Sequence, residues 1–141
     1  MNQLPIFTTS LRLSGAMAAI RAAMREAAGS PESEGRKLLV DKLNGISERS
    51  SIKLTGGNNL SISKATLDKW LSPSDTSHPP SLLALLAFCI ATDSLEPFRV
   101  AAQVLGVDVM TEEDKKLRDY GQAVLEMKEA RKRKKKLEET L

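Results

Sequence analysis

One cysteine, one histidine, one tryptophan, one tyrosine and three phenylalanines are all that this 141-residue chain holds of the residues that carry most side-chain chemistry and aromatic packing. The lone Cys89 excludes an internal disulfide and fits a reducing cytosol. It also lies in the most apolar stretch of the chain, where a free cysteine behaves as a small hydrophobe. His78 sits in a proline-rich linker, so a histidine-based nucleophilic pair within one domain and a Cys/His zinc site both lack their residues. Gly56-Gly57 is not followed by the Lys and Ser/Thr of a phosphate-cradling loop. Neighbouring carboxylates such as Glu112 and Glu113 read as helix-start charges. The chain is therefore expected to be no enzyme, with no catalytic residue, no metal site and no cofactor. It also lacks the ~20-residue apolar run of a membrane span and the basic region plus apolar run of a secretion signal. A cytoplasmic protein with no membrane partner is expected.

What is plentiful is Ala, Leu and Lys, a balance that favours an all-α protein built on aliphatic packing. The length suits one domain plus an appendage. The net charge of +3 is unevenly spread: residues 35–76 carry seven basic against four acidic side chains, and 112–141 carry ten against eight, while 77–111 are net acidic. Positive potential on two segments draws phosphate before any sequence is read.

In order along the chain, residues 1–13 hold a proline and no helical period, and read as an extended arm whose Leu4, Ile6 and Phe7 pack on the domain. Residues 14–110 read as the helical domain. Its first helix begins at Ser14 with Met17, Ile20, Met24 and Ala27 inward and Arg21 and Arg25 outward, ending at Gly29. SPESEG offers serine caps and Pro31 for the next helix start. SLLALLAFCIATD is apolar nearly all round, which predicts a central helix with Leu82, Leu85, Leu86, Phe88, Cys89 and Ile90 in the core and Pro80 as its first residue. Pro97 to Leu105 predicts a fifth helix closed by Gly106.

Between these lies GRKLLVDKLN…SISKATLDKWL, from Gly35 to Leu71. Leu39, Val40, Leu43 and Ile46 recur at helical spacing in its first half, and Leu67 and Trp70 in its second, which predicts two amphipathic helices. Ser63 caps the second, and Pro73 ends it. A helix of about eight residues is ~12 Å long and gains its stability only by docking. We read the stretch as a helix-turn-helix with an enlarged connection. Within that connection Ile52 and Leu54, then Leu60 and Ile62, alternate around Gly56-Gly57-Asn58-Asn59, consistent either with a small β-hairpin wing or with a surface loop.

GRKLLVDKL followed by SKATLDKW resembles the lambda-repressor-like helix-turn-helix regulators of Mu-type phages and prophages. There a stretch of the form basic, two variable, apolar, small, Asp, variable, Leu precedes a short helix ending in Leu, an acidic or amide residue, a variable residue and Trp. The resemblance covers roughly the middle half of the chain. Val40 stands where that pattern has a small residue, and the connection exceeds the usual three- or four-residue turn. It implies a compact bundle of about five short helices, location in a bacterial host cell, and double-stranded DNA as partner. On this reading the helix from Ser63 to Leu71 enters the major groove, Lys64, Thr66 and Lys69 reach base edges or flanking phosphates, and Ser63 with the first turn offers backbone amides to a phosphate. Arg36 and Lys37 clamp the sugar-phosphate backbone, and Lys53, Asn58 and Asn59 touch phosphate if the wing faces DNA.

Residues 111–141 predict a long C-terminal helix, capped by Thr111 with Glu112, Glu113 and Asp114 in its first turn. Leu117, Tyr120, Val124 and Met127 form an apolar stripe whose next positions fall on Arg131 and Lys134. The stripe would pair with a second subunit to make a homodimer, or fold back on its own domain. The run RKRKKK at 131–136, with Arg131, Lys132, Arg133 and Lys134 foremost, reads as a phosphate-holding extension or as a solvated helix end balanced by nearby glutamates. The function expected is a sequence-specific DNA-binding transcriptional regulator. The alternative is a helical adaptor binding a protein, or RNA, through this last helix.

Overall fold

The computed structural model describes residues 6–30, 32–56 and 60–141, with side chains from Leu13 onward. Among the described residues there are six helices: α1 (Ile6–Ala28), α2 (Glu34–Ser50), α3 (Lys64–Leu71), α4 (Leu82–Thr92), α5 (Glu96–Gln103) and α6 (Glu112–Glu139). Among the described residues there is no strand. The chain forms two compact units, Met1–Asp108 with α1 to α5, and Val109–Leu141 with α6. No described helix is long and apolar enough to cross a membrane.

In the first unit α1 packs on α5, α3, α2 and α4, and α4 packs on α2 and α5. Its core is aliphatic with two aromatic rings: Met24, Leu43, Leu67 and Phe88 are fully enclosed, and Leu71 and Trp70 nearly so. The expected helical class and the apolar periods of α2 and α3 are therefore present. Leu39 and Leu43 are buried, and Val40 and Ile46 pack half-buried against them.

The helix ends follow local chemistry. Gly29, at φ 77°, closes α1 in the left-handed conformation that glycine adopts without strain. The Ser33 hydroxyl accepts the Arg36 amide at 3.3 Å and starts α2. Ser63 does the same for Thr66 at 3.2 Å in α3, and Ser81 for Ala84 at 3.1 Å in α4.

Several expectations are corrected. Residues 6–13 are helical, part of α1, rather than an extended arm, and Met1 to Pro5 lie outside the described residues. Helix α2 runs on through Asn44 and Gly45 to Ser50, which shortens the connection to 51–63. Pro31, proposed as a helix start, lies outside the described residues. Pro80 precedes α4, whose cap is Ser81. The core list from α4 is half right. Leu85, Phe88 and Cys89 are buried with Ala84 and Ala87, whereas Leu82, Leu86 and Ile90 lie on an open face. An all-apolar helix has no period from which the buried side can be told, and here its neighbours α1, α2 and α5 cover only one side.

Helix α6 is 28 residues, or ~42 Å at 1.5 Å per residue. A complete capping box starts it: the Thr111 hydroxyl accepts the Asp114 amide at 3.1 Å, and the Asp114 carboxylate accepts the Thr111 amide at 3.0 Å. The basic run 131–136 is helical throughout, and no residue of α6 is buried.

Candidate nucleic-acid interface

Helix α3 has only eight residues, so what holds it decides what it can present. Leu67, Trp70 and Leu71 anchor it in the core. Two arginines of α1 bind its far end. Arg21 Nη1 donates to the Lys69 carbonyl at 3.2 Å and to the Ser72 carbonyl, and Arg25 Nη1 donates to the Leu71 carbonyl at 2.7 Å. These carbonyls lie at the C-terminal end of the helix, where that of Lys69 also accepts the Ser72 amide at 3.4 Å, and the positive charge complements the dipole there. Arg21 is only 3 % exposed, so the outward placement expected for it is corrected. The planar guanidinium reaches both carbonyls through Nη1, while its buried Nε has no hydrogen-bond partner among the described residues.

The middle of α3 is held from α2. Arg36 Nη1 lies 3.2 Å from the Asp68 carboxylate and its Nη2 donates to the Gly29 carbonyl at 2.9 Å. With 4 % exposure, Arg36 joins α1, α2 and α3 and is not placed to clamp a phosphate. Lys37, the next residue, is exposed, 3.9 Å from Glu34. Arg36, Leu39, Leu43 and Ser47 share the buried stripe of α2, which explains the burial of the arginine.

The connection is fastened by side chains where a hairpin was one expectation. Asn44 pairs with the backbone of Ile62 in both directions, accepting its amide at 2.7 Å and donating to its carbonyl at 3.0 Å. The buried Ser47 hydroxyl lies between the carbonyls of Ile52 and Leu60. Leu54 and Ile62 are buried, while Ile52 and Leu60 are exposed. Lys53 is exposed, and Asn58 and Asn59 lie outside the described residues.

On the open side of α3, Ala65 and Lys69 are exposed one turn apart, flanked by half-buried Thr66 and Asp68. Lys64 is also exposed and lies 3.1 Å from Asp68, an i,i+4 pair that contributes little in water. Asp68 thus faces two cations, which offsets the one acidic charge of this surface. The Ser63 hydroxyl is occupied by the cap and lies 3.2 Å from Thr66 Oγ1. Thr66, Lys69, Trp70, Thr55 and His78 line a cavity of about 450 Å³ beside the helix.

The segment after α3 turns on Asp75, whose carboxylate accepts the amides of Ser77 at 3.0 Å and His78 at 2.7 Å and lies 4.0 Å from Arg21. Burial raises the Asp75 pKa, but the His78 amide, the His78 ring and the Ser77 amide outweigh it and hold the value below the ordinary 3.8. A folded value below the unfolded one gives stabilisation that is present above pH 3.8 and lost as pH falls through the lowered value. Asp75→Asn should therefore narrow the difference in unfolding midpoint between neutral and acid solution, followed by the single tryptophan. An unchanged difference would contradict this role of the turn.

In the second unit Arg131, Lys132, Arg133 and Lys134 are all exposed, Lys134 at 3.9 Å from Glu138. The Cys89 thiol is pushed up by burial, which keeps it protonated at neutral pH. Ala65, Arg21, Arg25 and Asn44 were missed from the sequence. A signal existed for Arg21, which falls on the same helical face as the buried Met24 and Ala28, whereas Met17, expected inward, is exposed.

No family model matches the chain, and no curated protein and no solved structure matches it.

Proposed function

We propose that the protein is a sequence-specific DNA-binding transcriptional regulator of the phage-repressor kind, with α2 and α3 as its helix-turn-helix and α3 in the major groove. The observation that carries this reading is the mounting of α3. Three buried side chains and three arginines fix it from behind, while Lys64, Ala65, Thr66 and Lys69 are left as its outer surface. A rigid, short helix with a small and basic outer row suits direct readout, in which lysine donates to guanine acceptors and alanine contacts the thymine methyl. On this reading the exposed Lys37, and the exposed Lys53 in the connection, contact the sugar-phosphate backbone. The run from Arg131 to Lys134 adds phosphate affinity without sequence information.

Two substitutions test the division of labour. Lys69→Ala should relax sequence preference at one or two base pairs, by about 1–3 kcal/mol per contact. Lys134→Ala should weaken binding to every duplex alike and reduce the slope of log affinity against log salt by ~0.9. The same effect from both would contradict the assignment, and affinity residing wholly in 112–141 would favour a helical adaptor instead.

A further inference from the structure

Helix α6 combines an unburied apolar stripe with a separation of charge along its length. Leu117, Tyr120 and Met127 are 65, 72 and 54 % exposed, and with Val124 they occupy the a and d positions of two heptads. Acidic residues fill the first turn, Glu112 to Asp114, and basic ones fill 131–136 near the other end. Gly121 stands mid-helix with open space where a Cβ would be. A glycine there weakens a helix relative to alanine, and nothing in the helix itself requires it.

We propose that α6 pairs antiparallel with α6 of a second copy of this chain, in the register that sets Leu117 opposite Met127 and Tyr120 opposite Val124. The two-fold axis then passes at residue 122. Gly121 and Ala123 flank the seam beside that axis, and their small size allows the close approach of two helices, whose separation is set by the side chains at the contact. The next layer outward places Glu113 opposite Arg131, and on the flank Asp114 comes beside Lys128. The seam position Arg131, which breaks the apolar period, therefore has a partner, because the acidic first turn of each helix meets the start of the basic run of the other. A parallel pair would set Arg131 against Arg131 and Lys134 against Lys134, so charge selects the antiparallel arrangement. The outer residues of 132–136 remain available to solvent. The pairing stands whether or not the protein binds DNA.

The test is sedimentation equilibrium of the full chain over about 1–100 µM. The wild-type chain should dimerise. Glu113→Arg and Arg131→Glu should each weaken self-association by roughly tenfold or more, since each creates a like-charge layer at both ends. An equimolar mixture of the two variants should restore dimerisation to near the wild-type strength, because every layer in the mixed pair is again opposite in charge. Tryptophan fluorescence of each variant confirms that the first unit is folded. A wild-type monomer throughout the range, unweakened single variants, or tighter dimers from Arg131→Glu would each overturn the proposal.

Discussion

Arg21→Ala is expected to lower the stability of the first unit by about 2–4 kcal/mol, because it leaves the Lys69 and Ser72 carbonyls without their charged donor inside the fold. The loss should appear as an earlier midpoint in urea, followed through Trp70, which is 3 % exposed and the only tryptophan. Arg21→Lys should recover only part of it, since a single ammonium on a flexible stem does not reproduce the planar fork that reaches two carbonyls. The substitution also frees the C-terminal end of α3, so under the DNA-reading function proposed above the variant should lose base discrimination at the positions nearest Lys69 even at temperatures where it stays folded. An unchanged midpoint would show that the arginine is a bystander to the mounting of α3.

Phe88→Ala should be larger, about 3–5 kcal/mol, because a fully enclosed ring leaves a cavity that the surrounding core fills only in part. For a unit of this size that corresponds to a fall in Tm of at least about 12 °C. Leu82→Ser on the same helix should change the Tm by no more than a few degrees, since Leu82 is 66 % exposed. The pair separates an α4 buried on one side from one buried all round. Comparable losses at the two positions would contradict the one-sided burial.

How far the sequence revealed this arrangement depended on whether the pattern had a period. Leu39 and Leu43, and Leu67 and Trp70, fall at three- and four-residue steps in stretches that also carry charged residues, so α2, α3 and their inward faces were legible. The serine caps at Ser63 and the box at Thr111 were legible for the same reason, because the capping hydroxyl must precede the helix by a fixed count. In SLLALLAFCIATD every direction is apolar, and which side meets α2 is settled only by tertiary packing. The arginines were misplaced because charge was taken to mean solvent. Arg21 and Arg36 stand on the buried stripes of their own helices, and their guanidinium groups find carbonyl or carboxylate partners at positions remote in sequence. Asn44 is a similar case: its partner, Ile62, is 18 residues away. The outer row of α3 was partly legible, with Lys64, Thr66 and Lys69 anticipated, whereas Ala65 offers no chemical signal until the helix is seen docked.

The most direct measurement is selection from random duplex DNA by the intact chain at ~0.15 M salt, where exposed charges are screened beyond ~8 Å, with Lys69→Ala carried in parallel. Enrichment of one motif by the wild-type chain, relaxed at particular positions by Lys69→Ala, is the expected result. Retention of DNA only at low salt, with no motif enriched, would contradict sequence readout by α3.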